Sequence, residues 1–189
     1  MAFFKESEFS NVSDNFTKYK FEPFQKSMIS EGKKVLEKTA SIYTDKFDIF
    51  ISHSKLDEKI VGGLYLHFTQ KGFNVYVDWI VDPELDRSRV NLTTCKRLRE
   101  RMNQSKSMIV ATSNNSLDSK WVTWEIGFFD GRKGKVSIMP ILKDYESTFS
   151  GSEFLHLYPK VEKGLQTEQI FDTQKFYGFE KKSLNEWVR

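Results

Sequence analysis

Apolar residues gather in four short runs, separated by segments of helical spacing. The runs are Phe47-Asp48-Ile49-Phe50-Ile51, Phe73 to Trp79, Ser107 to Thr112 and Val136 to Leu142. Each is rich in β-branched or aromatic residues and has the length of a strand. The second alternates in part; the third and fourth are nearly continuous, as in strands covered on both faces. Over Asp57 to Lys71, Ile60, Val61, Leu64 and Phe68 recur at helical spacing, and Gly72 supplies a left-handed end. Gly62-Gly63 weakens that helix, by about 1 kcal/mol per glycine relative to alanine. From Asn91 to Ser105, Leu92, Cys95, Leu98 and Met102 form one stripe, with Lys96, Arg97, Arg99 and Arg101 mostly outside it. A third helix runs from about Asp118 to Phe129. The order β-α-β-α-β-α-β with short connections predicts an α/β fold, a parallel sheet with helices on both faces.

The ends are less regular. Residues 1 to about 22 are polar with scattered aromatics and read as an arm. Pro23, Phe24, Met28, Val35 and Leu36 predict a helix over about 24–40, entered at a proline. Residues 1–45 thus read as an extension, and 46–189 as the main domain, irregular after about 143. Ser183-Leu184-Asn185-Glu186 has the form of a capping box opening a short terminal helix.

Composition narrows the class. The 189 residues are 39% hydrophobic, enough for a core and too many for wholesale disorder. No apolar run approaches the length of a membrane span, and the charged N-terminus lacks the form of a secretory signal. Cys95 is the single cysteine, which excludes an intrachain disulfide and fits a reducing cytoplasm. A net charge of +3 argues for neither nucleic acid nor a membrane surface as partner. The basic residues from Lys96 to Lys106 read as a solvated helix face. His53, His67 and His156 share no ligand spacing with the cysteine, so no metal site is expected.

One residue breaks the pattern. With Trp121 at 0° on the third helix, Val122, Trp124, Ile126, Phe128 and Phe129 span an arc from about 300° to 140°, and Glu125 lies inside it at about 40°. A carboxylate among aromatic rings is costly to bury uncompensated, and such surroundings raise its pKa. Two readings stay open at this point: a functional acid, or a structural one paired with an arginine or with the positive end of its helix.

Topology supplies a second clue. Ligands of open parallel sheets bind beyond the carboxyl ends of the strands. There the first strand delivers Ser52-His53-Ser54-Lys55. The second delivers Asp78-Trp79 and a loop with Asp82, Glu84, Asp86, Arg87 and Arg89. The third delivers Thr112-Ser113-Asn114-Asn115. Such an edge suits a phosphorylated, ribose-containing ligand, held by side chains and helix N-termini because no P-loop or G-x-G-x-x-G is present.

Three of these segments together resemble one family. Phe47 to Ser54 is similar to the opening signature of Toll/interleukin-1 receptor (TIR) domains. Gly72 to Asp78 is similar to their second strand, and Ser119-Lys120-Trp121-Val122-Thr123-Trp124-Glu125-Ile126 to their S-x-W-x-x-x-E element. The resemblance covers about residues 45 to 142, in order and at the right spacing. It implies a flavodoxin-like sheet of order 2-1-3-4-5, with the fifth strand near Leu155 to Val161. It also implies a choice between adaptors that act by TIR–TIR association and enzymes that cleave NAD at the nicotinamide–ribose bond. In the enzymes the Trp-x-x-x-Glu glutamate is catalytic, and it maps onto Glu125. The loop from Ile80 to Val90 departs from the family's common Gly-Asp pair.

On the enzymatic reading NAD is a substrate and no cofactor is needed. Glu125 stabilises the oxocarbenium-like ribose, Trp121 buttresses Glu125, and Ser52, His53, Lys55 and Asp78 line the substrate edge. Trp79 either stacks on nicotinamide or packs on the core. Arg87 and Arg89 either hold the pyrophosphate or are solvated. The resemblance further implies a cytoplasmic, self-associating enzyme of a Thoeris-like anti-phage system, whose ADP-ribose or cyclic ADP-ribose product is sensed by a separate protein. The alternatives are a non-enzymatic adaptor and a nucleoside deoxyribosyltransferase-like enzyme with a glutamate nucleophile.

Overall fold

The computed structural model describes residues 3–11, 46–113, 119–149, 153–164, 168–172 and 180–189. The expected helix over 24–40 and the Asn114-Asn115 turn lie outside the described residues. The chain begins with β1 (Phe4–Lys5) and a helical segment, α1 (6–11). Next come β2 (Phe47–Ser52), a 3-10 turn (Lys55–Asp57), α2 (Glu58–Gln70) and β3 (Val75–Tyr76). A short α3 (Asp78–Val81) follows, then α4 (Leu92–Gln104), β4 (Ser105–Thr112), α5 (Lys120–Lys133) and β5 (Val136–Leu142). A second 3-10 turn (Glu153–Leu157) leads to β6 (Lys160–Glu162), β7 (Gln169–Asp172), β8 (Glu180–Ser183) and α6 (Leu184–Val188).

The sheet order is β3-β2-β4-β5-β6-β7-β8, with β1 pairing β5. From β3 to β6 every pairing is parallel, which is the expected 2-1-3-4-5 order with Lys160–Glu162 as its fifth strand. The C-terminal part is more regular than its sequence suggested, because β7 and β8 extend the sheet antiparallel. Strand β5 pairs β6 at Ile138 and β1 at Ile141 and Leu142. Pro140, which cannot donate to a ladder, sits where β5 changes partner.

Alternation along the strands sorts the core into two layers. On one face Ile49, Ile51, Val75, Ile109, Ala111, Met139 and Ile141 meet Val61, Leu64 and Phe68 of α2 and Leu184 and Val188 of α6. On the other, Phe50, Tyr76, Met108, Val110 and Ile138 meet Leu98 and Met102 of α4 and Trp121, Val122, Ile126 and Phe129 of α5. Ser52 and Thr112 continue the even positions, so both lie on the α5 side at the carboxyl ends of their strands.

The start of the chain does not behave as a polar arm. Phe4 and Phe9 are buried in the α2-side core, and Lys5 reaches the carbonyls of Lys143 and Glu146. This explains Gly63: a Cβ there would lie 2.3 Å from the Phe9 carbonyl oxygen. The helix gives up propensity so that α1 can pack against it. Glu168 ties the same corner, accepting from His67 and Lys71 at 2.7 Å each.

Three sequence expectations shift. Trp79 belongs to the first turn of α3, because the Asp78 carboxylate accepts the Trp79 N–H and turns the chain. Leu92 is exposed: the buried line of α4 runs through Thr94, Leu98 and Met102, since Thr94 turns inward to donate to the Asp86 carbonyl. Arg101 is no solvated face residue; it forms a nearly buried bidentate pair with Asp82. Helices α2 and α5 are followed by Gly72 and Gly134 at φ 87° and 62°, left-handed ends that favour glycine. Ser183 and Glu186 form the expected capping box. No helix of the described residues is long and apolar enough to cross a membrane.

Candidate active site

Strand β2 and helix α5 bring the site together. Ser119 caps α5, accepting from the Val122 N–H. Residues 121, 122, 126 and 129 then face the sheet and are buried, while Trp124 and Phe128 stack on each other at the margin. Glu125, in the middle of that face, has no exposed surface. The Ser52 hydroxyl donates to Glu125 Oε2 at 2.6 Å. The other oxygen, Oε1, accepts from Arg87 at 2.9 Å. Glu125 is thus buried on the apolar face of its helix and paired with an arginine, the pairing that the structural reading expected.

Arg87 is the hub. Its second terminal nitrogen donates to Asp78 Oδ2 at 2.6 Å, so one guanidinium bridges two buried carboxylates. Its Cζ lies 5.8 Å from the Trp121 ring centroid, and the Trp121 indole N–H donates to the Arg87 carbonyl. Trp121 thus buttresses the site from two directions. Behind Asp78 stands His53, buried, with Nε2 3.5 Å from Asp78 Oδ1 and Nδ1 3.2 Å from the Ile51 carbonyl oxygen.

The electrostatics follow from burial. Burial pushes Glu125 up to about 7, against the opposing pull of Arg87 and the Ser52 hydroxyl. Burial likewise pushes the His53 imidazole below its ordinary value. Burial opposes the Asp78 anion too, but His53 and the Arg87 guanidinium outweigh it and hold Asp78 below the usual carboxylate value.

Ser52, His53, Asp78, Arg87, Trp121 and Glu125 are brought together; Lys55, Trp79 and Arg89 are not. Lys55 is exposed on its 3-10 turn. Trp79 packs on the α2-side core, the opposite face of the sheet from Glu125. The Arg89 side chain is 82% exposed, with only a loose contact to Asp86 at 3.7 Å. Arg87 meets the carboxylates of Asp78 and Glu125 here, and these two anions hold its guanidinium.

Sequence reasoning missed the parts that fix the loop. Asp82 accepts from Arg101 twice at 2.8 Å and from the Tyr76 hydroxyl at 2.9 Å. Asn91 and Thr94 both donate to the Asp86 carbonyl. Asp57, also buried, accepts from the Ser113 hydroxyl at 2.6 Å and joins the loops after β2 and β4. These partners are 5 to 56 residues apart, and no local pattern announces them. A surface cavity of about 520 Å³ lies on the outer side of this loop, lined by Leu85, Asp86, Thr94 and Arg97 among others, and Glu125 is not part of its wall.

The family model described as TIR domain matches residues 49–175. The chain is 43% identical over 171 residues to a Bacillus cereus (strain MSX-D12) protein named probable 3' cyclic ADP-D-ribose synthase ThsB', covering 87% of this chain and 85% of that one. It is 34% identical over 83 residues to the putative cyclic ADP-D-ribose synthase TIR2 of Cytobacillus dafuensis, covering 43% of this chain and 22% of that protein. Among solved structures, it is similar to the TIR domain of the Toll-related receptor TRR-2 from Hydra magnipapillata. That likeness has 18% identity and a TM-score of 0.44, covering 61% of this chain and 84% of that one. With a family match over most of its length and a relative aligned nearly end to end, the chain belongs to the TIR domain family.

Proposed function

We propose that this TIR protein consumes NAD: it breaks the nicotinamide–ribose bond, with Glu125 stabilising the cationic sugar, and closes the product into a cyclic ADP-ribose. The observation that carries the reading is a carboxylate with no exposed surface, held by Ser52 on one oxygen and Arg87 on the other. The two relatives named as cyclic ADP-D-ribose synthases support the product class.

The chemistry suits a single carboxylate. The C–N electron pair leaves with nicotinamide, which departs neutral from a pyridinium, so no strong acid has to protonate it. The sugar is left as an oxocarbenium-like cation, and a fixed anion beside it lowers the barrier. Removing one such preorganised group typically costs about 10²- to 10³-fold in rate. Ser52 holds the carboxylate's orientation. A hydroxyl of the same molecule then bonds to the sugar carbon in place of water, its O–H bond breaking and its proton passing to a nearby base or solvent, and exclusion of water from the reacting centre favours that outcome. Self-association through TIR–TIR contacts and a separate protein that senses the product complete the proposal, which places the chain in anti-phage signalling.

The test is incubation of concentrated pure protein with NAD, with products separated by chromatography and mass. Nicotinamide and a cyclic ADP-ribose are expected, and Glu125→Gln should abolish both. Equal nicotinamide release by the wild type and Glu125→Gln, or none by the wild type at high concentration, would overturn the reading in favour of an adaptor. Base exchange on deoxynucleosides would point to the transferase.

A further inference from the structure

Arg87 sits in an unusual place for a residue on a surface loop. Its side chain is 11% exposed, and the two carboxylates it bridges, Asp78 and Glu125, are 5% and 0% exposed. The Trp121 ring closes a third side. Two buried anions and an aromatic plate form a receptor for one planar monocation. The backbone around Arg87 is fastened separately: Trp121 holds the Arg87 carbonyl, Asn91 and Thr94 hold the Asp86 carbonyl, and Arg101 and Tyr76 hold Asp82. What the geometry leaves free to withdraw is the side chain, not the loop.

Withdrawal alone is unfavourable. It would strip the Asp78 anion of its guanidinium and remove the charge that opposes protonation of Glu125, and truncating one member of such a buried ionic set is strongly destabilising. A second planar cation would restore the balance. The nicotinamide riboside end of NAD is one: it carries a single positive charge spread over a flat ring. After cleavage nicotinamide is neutral and the sugar keeps the charge, so the two carboxylates face one positive charge before and after the bond breaks.

We propose that the Arg87 side chain is a built-in stand-in for the cationic end of the substrate, and that Asp78 is a second anionic contact which, with Glu125, receives that cation when Arg87 withdraws. The identity of the cation rests on the NAD reading above; the existence of a planar-cation site does not.

Arg87→Ala opens the receptor, and methylguanidinium probes it. The variant should be less stable than the wild type, and methylguanidinium at ten times its dissociation constant should shift its unfolding equilibrium back by about tenfold. Methylammonium, of equal charge but not planar, should do much less, and the wild type, whose receptor is filled, should not respond. Methylguanidinium should also compete with NAD in the variant. Equal responses to the two cations, or an undiminished rescue in Arg87→Ala/Asp78→Asn, would overturn the proposal. Rescue without any NAD cleavage would sustain the cation site and sink the NAD reading; NAD cleavage without rescue or competition would do the reverse. Should Arg87→Ala fail to fold, the wild type serves: a non-cleavable NAD analogue with its pyridinium intact should inhibit at least tenfold better than NADH, whose ring is neutral. Equal inhibition by the two would refute the proposal.

Discussion

Replacing Glu125 by glutamine should stabilise the protein above pH 7 while abolishing catalysis. In the unfolded chain this carboxyl ionises near its ordinary 4.5; in the folded protein burial raises it to about 7. Between those values the folded state holds a proton that the unfolded state has released. Stability therefore falls as pH rises through this window, by up to 1.36 kcal/mol per pH unit for the one group, or about 3 kcal/mol in all once pH exceeds 7. Below pH 4.5 the contribution vanishes, since both states are protonated. Glutamine does not titrate, yet it still accepts from Ser52 or Arg87. Urea unfolding followed by tryptophan fluorescence from pH 5 to 8 measures the difference. The two stability curves should lie close together near pH 5 and diverge to about 3 kcal/mol at pH 8, with Glu125→Gln the higher. Glu168, held near 2 against its burial by His67 and Lys71, acts at the acid end in both proteins and cancels. Parallel curves, or a wild type that gains on the variant above pH 7, would refute the reasoning. They would mean that the Arg87 ion pair outweighs burial and that Glu125 ionises at or below its ordinary value.

Two further outcomes follow from packing. Gly63→Ala should gain about 1 kcal/mol of helix propensity but force α1 off α2, exposing Phe4 and Phe9 at about 1.5–3 kcal/mol each. The net loss should appear in urea unfolding with faster proteolysis at the N-terminus, and a stabilised variant would contradict the docking of α1. Asp82→Asn removes one charge of a nearly buried pair and should cost about 3 kcal/mol or more. It should also lower NAD turnover by loosening the Arg87 loop; an unchanged melting temperature would show that the Arg101 bridge contributes nothing.

Much of the fold was legible because strands β4 and β5 are nearly continuous apolar runs and Gly72 sits where the helical pattern of α2 stops. The anomaly at Glu125 was legible for the same reason: a 3.6-residue period exposes a charged residue on the wrong face. Period-based reasoning fails where contacts are long-range. Phe4 and Phe9 read as scattered aromatics, because the surface that covers them belongs to α2 and β5. Arg87 read as a phosphate ligand or a solvated loop residue, because its sequence neighbours Asp86 and Ser88 carry no hint of Asp78 and Glu125 as its partners. Trp79 followed its strand in the sequence pattern but turned to the other face where α3 begins at Asp78. Leu92 kept its place in the stripe only until Thr94 rotated the first turn of α4 inward.

The two margins of the sheet carry a consequence for assembly. At one end β3 has only two residues, and at the other β8 presents Lys181 and Lys182. Brevity and lysine both discourage a neighbouring chain from zippering its backbone onto an open strand. Main-chain pairing between copies is thereby disfavoured, and in the self-association proposed above contacts between copies would be made by side-chain surfaces instead.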